Sequence, residues 1–548
     1  MKNKNLLTIG AVFGATMVLA ACEAEHEPSI NAEDMARHIK ILASDEFGGR
    51  APATEGETKT INYISEQFRA SGVKPALGDS YFQGVPMVEI TAQNVSPLEI
   101  AGPEESFSLN YLKDMVVWTK RVQENIALDK SEMVFVGYGV VAPEYGWNDY
   151  EGVDVKGKTV VILVNDPGFA TGDPEVFNGK AMTYYGRWTY KYEEAARQGA
   201  AGAIIVHQTA PASYPWGVVE SSWSGPQLDL QREGNNMHRA LVEGWITEDH
   251  ARAAFAAADM DFDTAYASAK EPDFQASAMG LTASVSFDNS IRTSDSYNVA
   301  GIIEGTERPE EAIIYMGHWD HLGQGIPNVQ GDDIYNGAVD NASGTAALIE
   351  LGEQFAHNPP KRSVVILAVT GEESGLLGSA YYAENPIVPL AKTVGGINLD
   401  ALNIIGETKN VVVVGYGKSE LEEVLTKYAG HQNRVVEAEE TPERGYFYRS
   451  DHFSLAKVGV PMLYAEGGVD HVVHGREWGQ MKADEYTAND YHQPSDEYRD
   501  DWDLSGAVQD VKLLYAVGRD LADGTDWPNW YESAEFRNAR DASRAGEE

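Results

Sequence analysis

The sequence predicts an α/β fold: a mainly parallel mixed sheet flanked by helices, carrying an inserted β-rich module. Three observations predict it. Between residues 296 and 526 short apolar runs alternate with helical stretches, the order expected of a parallel sheet covered by helices. One of those runs, SVVILAVT at 363–370, is continuous, apolar and rich in β-branched residues, which suits a strand buried on both faces. From 132 to 286 the texture changes to short β runs joined by Gly- and Asp-rich loops, and that change marks the insert.

In chain order, Lys2 and Lys4 precede an apolar stretch at 6–19 and the tetrapeptide Leu19-Ala20-Ala21-Cys22, a targeting pattern. LAAC resembles the bacterial lipoprotein signal, which implies that residues 1–22 form a signal ending at a lipidated Cys22. Glu23 after it implies the outer membrane, facing the periplasm. Cys22 is the sole cysteine, so an internal disulfide is excluded. No other apolar run reaches the ~20 residues needed to cross a bilayer.

Residues 30–131 open the main domain. Met35, Ile39 and Leu42, then Ile61, Ile64 and Phe68, recur at spacings of three and four and predict two helices. Between them lies SDEFGGRAPATEGE at 44–57, a Gly- and Pro-punctuated loop with no catalytic signature of its own. A strand follows at 85–90. Within the insert, 133–140, 158–166 and 201–208 read as strands and 190–199 as a helix. His207 closes a strand and reads as structural. Its GKTVVILVND…EEAARQGAAGAIIVH resembles the protease-associated domain, which implies a lid or partner-binding role. The main domain resumes at 287–526, with a helix after 342, another at 419–430 and a last one near 504–523. The tail at 527–548 is polar and expected to fray.

A chain of 548 residues is too long for one core, so two or three domains are expected. Asp and Glu number 84 against 42 Lys and Arg, a net charge of −42. That surface repels phosphate backbones and excludes nucleic acid as a partner.

Chemistry concentrates in five clusters: GHWDHLG at 317–323, VDNASGT at 339–345, TGEESG at 370–375, INLD at 397–400 and YHQPSDE at 491–497. In open α/β sheets functional groups gather beyond the carboxyl ends of strands. His318 and Asp320 follow one predicted strand, Glu372 and Glu373 another, and Asp400 ends a third. Two adjacent carboxylates beyond a buried strand repel each other and call for a cation. Imidazole and carboxylate without sulfur suit zinc. Asp340 precedes a helix, where a carboxylate also serves as a plain N-cap, so both readings of it stand.

Taken in order, His318-x-Asp320, Asp340-Asn341, Glu372-Glu373, Asp400 and Tyr491-His492 resemble the co-catalytic di-zinc exopeptidase family. That family includes bacterial leucyl aminopeptidases, glutamate carboxypeptidases and the transferrin receptor. The opening LASDEFGGRAP…GE is similar to that of its members. The resemblance implies two zinc ions per chain. Asp340 bridges them, His318 and Asp400 complete one site, and Glu373 and His492 the other. Glu372 is then the general base, Asp320 orients His318, and Tyr491 hydrogen-bonds the tetrahedral intermediate. The family's cis peptide falls at Asp340-Asn341. Two such ions about 3.5–4 Å apart lower the pKa of a shared water, whose proton Glu372 takes and returns to the leaving amine. His321, His452, His471 and His474 are expected to be structural.

The implied activity is removal of N-terminal residues from peptides. A glutamate-releasing carboxypeptidase is the alternative; that branch holds a terminal carboxylate with cationic residues, for which Arg449 is a candidate. A one-zinc glutaminyl cyclase and a non-catalytic binding protein rank below. The preferred side chain and the oligomeric state are not encoded legibly.

Overall fold

The computed structural model describes residues 28–545, so the expected signal and Cys22 lie outside the described residues. The chain opens with α1 (Ala32–Leu42), capped by the Asn31 side chain, and α2 (Glu55–Ser71), capped by Thr54 and ended by Gly72 in the left-handed region. Two long strands follow, β1 (Phe82–Gln93) and β2 (Asn125–Phe135). The insert continues with β3 (Thr159–Leu163), α3 (Trp188–Arg197), β4 (Gly202–His207) and β5 (Val242–Thr247). The strand expected over 133–140 stops at Phe135, because Gly137 and Gly139 take positive φ (55° and 61°) and turn the chain. β6 (Ser277–Ile303) is 27 residues long. After it come β7 (Arg308–His318), α4 (Gly344–His357), β8 (Arg362–Val369) and β9 (Thr393–Asn398). The chain closes with β10 (Asn410–Val413), α5 (Leu421–His431), β11 (Val435–Ala438), β12 (Met462–Gly467), α6 (Ser505–Asp523) and α7 (Arg537–Arg544).

The main sheet runs β11-β10-β12-β9-β7-β8-β6-β1, and its centre, β12-β9-β7-β8, is parallel. The expected α/β class is therefore the observed one. Alternation along the strands explains why both faces are covered. Ile313, Tyr315, Val364 and Ile366 face a core shared with α1, α2, α4 and α6. Ile314, Met316, Val365 and Leu367 face the opposite core, with Phe453, Leu455 and Trp530. Full burial of each aliphatic side chain contributes about 1.5–3 kcal/mol, so the parallel strands are pinned from both sides.

The insert's own sheet, β5-β4-β3-β2, is parallel in those four strands, carries Met115–Trp118 antiparallel on β5 and joins β6 antiparallel. Its core already includes Leu98, Ile100 and Met115. β2 runs through the expected join at 131/132, and β6 through the one at 286/287. Over its described residues, 527–545, the polar tail does not fray. Trp530 is fully buried and donates from Nε1 to Gly459 O at 2.9 Å, and Arg540 on α7 donates to Thr393 O at 2.8 Å. A few anchoring side chains dock a segment whose composition is otherwise polar.

Candidate metal centre

Register brings the three clusters side by side. His318 ends β7 opposite Val369 of β8, and Met316 pairs with Asn398 of β9, so the carboxyl ends of three adjacent parallel strands lie on one edge. Asp340 and His492 reach that edge from the connection before α4 and from the segment before α6.

All five expected ligands meet. His318 Nε2 lies 3.2 Å from Asp400 Oδ1 and 3.3 Å from Asp340 Oδ1. His492 Nε2 lies 3.1 Å from Asp340 Oδ2 and 3.3 Å from Glu373 Oε2. Each oxygen of Asp340 thus faces a different histidine–carboxylate pair. Glu372 falls within the group formed with His318 and Glu373. The ring of Tyr491 stacks on His492 at 4.0 Å.

The N-cap alternative for Asp340 is not realised. α4 begins at Gly344, and Asn341 Oδ1 accepts from Gly344 N–H at 2.9 Å. The Asp340-Asn341 peptide is cis. Asn341 also donates to Leu399 O at 3.0 Å, tying this connection to the end of β9. Asp496, in the YHQPSDE cluster, accepts from Val339 N–H (3.1 Å) and Asp340 N–H (3.2 Å) and so fixes the same connection from the other side. Ser450 donates to Asp400 Oδ2 at 2.6 Å and accepts from Asn398 at 2.8 Å. Asp496 and Ser450 were missed from sequence. Asp496 had a signal, since it sits four residues after His492.

One expected role is corrected. The Asp320 carboxylate does not orient the His318 imidazole; Nδ1 of His318 meets the main-chain carbonyl of Asp320 at 3.0 Å, while the carboxylate is 3.9 Å away. That carboxylate accepts instead from Glu372 N–H at 3.2 Å. Asp320 therefore steadies the loop that carries Glu372.

The electrostatics are those of a cation-demanding site. Burial works against charge on His318, yet Asp400 and Asp340 outweigh it and push its pKa well up. His492 is likewise raised, its burial overcome by Asp340 and Glu373. Burial also opposes ionisation of Asp340, but the two histidines hold it well below the usual carboxylate range. Glu372 moves the other way: burial, reinforced by Glu373 and Asp400, pushes its carboxyl well up despite His318. Asp320 is pushed up to about 6, chiefly by burial. Burial and Asp340 raise the Tyr491 phenol, which keeps it a hydrogen-bond donor at neutral pH.

His321, set aside from sequence as structural, also reaches the cluster. Its Nδ1 lies 2.7 Å from Glu373 Oε1 without the alignment of a hydrogen bond. Among the described residues neither ring nitrogen, nor Glu373 Oε1, has a hydrogen-bond partner, although all are buried. Buried polar atoms are ordinarily satisfied, and nitrogen and oxygen donors aimed at one point without partners are what a zinc ion satisfies. The residues present fit zinc.

The other histidines stay apart. His452 is buried among Phe447 and Tyr464 and pushed down to about 3 by burial. His471 accepts on Nδ1 from Val473 and His474 N–H and stacks on His474. His207 bonds to Tyr214 O at 3.0 Å within the insert.

The cluster opens into a cleft of about 1830 Å³ whose lining includes Trp118, Lys120, Arg187, Trp223 and Arg449. Among the described residues neither Arg187 nor Arg449 pairs with a carboxylate, and Arg187 Nε is buried without a hydrogen-bond partner. Burial, with Arg449 nearby, pulls Arg187 down to about 10.

Residues 298–516 match the model of Peptidase family M28, so this part of the chain is an M28 peptidase domain. A probable zinc metalloprotease of Pyrenophora teres f. teres is 37% identical over 111 residues, 20% of this chain and 23% of that one. Mouse aminopeptidase NAALADL1 is 34% identical over 128 residues, 22% of this chain and 16% of that one. The matched segment therefore spans less than a quarter of these relatives' length. Among solved structures, an aminopeptidase from Aneurinibacillus sp. strain AM-1 aligns over 91% of this chain and 95% of its own, at 18% identity and a TM-score of 0.48. The zinc aminopeptidase BSAP of Bacillus subtilis aligns over 92% and 99%, at 16% and 0.43.

Proposed function

We propose that this M28 domain is a zinc-dependent exopeptidase that removes N-terminal residues from peptides, with two zinc ions held by His318, Asp340, Glu373, Asp400 and His492. The observation that carries the reading is Asp340, whose two oxygens face two separate histidine–carboxylate pairs. Zinc bound there supplies a Lewis acid that polarises the scissile carbonyl and acidifies a water. The rest of the chemistry is the chain's own. Glu372 takes a proton from the attacking water and delivers it to the leaving amine. Asp320 holds the Glu372 main chain in place. Tyr491 donates to the oxygen that gains charge as the carbonyl becomes tetrahedral. The expected signal at 1–22 supports export and a lipid anchor on Cys22 in the cell envelope.

A second reading, a carboxypeptidase, is favoured by one observation: Arg187 and Arg449 line the cleft without acidic partners. Two adjacent guanidiniums in an otherwise acidic protein suit a substrate carboxylate. Peptides of one sequence with a free or an acetylated N-terminus separate the readings. An aminopeptidase cleaves only the free amine. Cleavage of the acetylated peptide at its C-terminal bond, lost on amidation, would establish the second reading instead.

A further inference from the structure

The loop at 44–57 holds a buried arginine whose bonds converge on the metal centre from behind. Arg50 is 1% exposed. Its guanidinium donates to four main-chain carbonyls: Trp319 (2.9 Å), Leu42 (2.8 Å), Gly337 (2.8 Å) and Asn336. Trp319 lies between His318 and Asp320; Asn336 and Gly337 enter the turn that delivers Asp340. One planar fork therefore spans the two loops that carry a ligand of each expected metal site.

The backbone is bent to place it there. Gly48, Gly49 and Arg50 have φ of 56°, 69° and 54°, three successive left-handed residues. For a non-glycine residue that conformation costs on the order of 1–3 kcal/mol, and such strain persists where surrounding structure over-determines it. Gly49 admits no side chain, since a Cβ there would stand 2.5 Å from Gly323 O and 2.6 Å from Tyr335 O. Glu57 ties down the other end of the same loop. It accepts from Ala53 N–H and from Ser296 Oγ, and Ser296 shares a 2.6 Å hydrogen bond with Thr370, two residues before Glu372.

Among the described residues Arg50 makes no ion pair with a carboxylate; each of its hydrogen bonds goes to a carbonyl. A charge buried for stability alone is ordinarily paired with an acid. Here the fork geometry, which five fixed N–H donors permit and an ammonium does not, is what the site uses.

We infer that Arg50 is a positioning residue that sets the separation of the His318 and Asp340 loops and thereby the affinity for zinc. The inference rests on the metal-site reading above. The test measures zinc affinity by competition with a chromophoric chelator, together with circular dichroism and melting of the zinc-free protein, for the full chain and for Arg50→Lys and Arg50→Gln. Folded R50K is expected to bind zinc about 10–100-fold more weakly, the range for outer-shell partners of metal ligands, and R50Q more weakly still. On a peptide substrate kcat is expected to fall while KM holds. Wild-type zinc affinity in either folded variant would overturn the inference while leaving the metal site standing. So would a failure of both variants to fold, which would make Arg50 structural. A wild-type chain that binds no zinc would instead overturn the metal-site reading itself.

Discussion

Two regions of this molecule bury clustered carboxylates just beyond parallel strands, and they differ in one respect. In the insert, Asp166 lies three residues past the end of β3, and Asp149 is buried nearby. Both are fully provided with donors: Asp149 takes Val140 N–H and Trp147 Nε1, and Asp166 takes Thr183 Oγ1 and Phe169 N–H. A buried lysine, Lys191, supplies the positive charge. Burial pulls it down to about 7 against the pull of Asp166 and Asp149, and its ammonium donates to Tyr138 O at 2.6 Å. In the peptidase domain Asp320, Asp340, Glu372, Glu373 and Asp400 face His318, His321 and His492, and several of their atoms have no partner. The insert carries its own cation. The peptidase cluster is built to receive one from outside. Donor satisfaction, more than acid density, separates a structural charge cluster from a metal centre.

Substitutions can break that contrast. The largest effect is expected for Glu372→Ala: turnover falls by about 10²–10⁴-fold, the share usually carried by a general base, while zinc content measured by atomic absorption stays at the wild-type level. Asp340→Asn should lower zinc content in the same measurement, because a single change disturbs both histidine–carboxylate pairs. Lys191→Met addresses the other cluster. Removing the amine leaves Tyr138 O without its donor and takes away the positive charge that Asp149 and Asp166 feel; it should cost about 1–3 kcal/mol in denaturant unfolding, with zinc per folded molecule unchanged. Loss of zinc in that variant would show that the two clusters are not independent.

The smallest effect is a pH dependence. His452, neutral and buried, has its pKa depressed to about 3 by burial. The unfolded chain therefore binds more protons between that value and the ordinary 6.5. Its contribution to stability is complete above about 6.5 and is lost progressively as pH falls toward about 3. Replacing it by Phe, which suits the contacts with Phe447 and Tyr464, should flatten the acid side of the melting-temperature profile. An unchanged slope would show that His452 is not what sets it.

Much of the metal centre was legible in the sequence because its ligands are side chains delivered by strand ends, and strand ends leave an apolar signature. His318, Glu373 and Asp400 were found in this way. Contacts made through the main chain leave no such trace. The carbonyl of Asp320 that meets His318, and the four carbonyls that hold Arg50, have no residue type to announce them. Asp496 was hidden for a related reason, as its partners are backbone N–H groups. The tail was misread because its anchoring side chains, Trp530 and Arg540, are diluted among charged residues.

β6 has a consequence for how the molecule could be rebuilt. One unbroken strand pairs with β2 in the insert, then with β1, then with β8 beside the metal centre. Excising the insert would strip a long run of ladder partners from β6 and leave an extended edge open to pairing with other chains. A trimmed peptidase domain is therefore expected to aggregate. Exchanging the insert between relatives would have to carry β2 and the first half of β6 together, as a single graft.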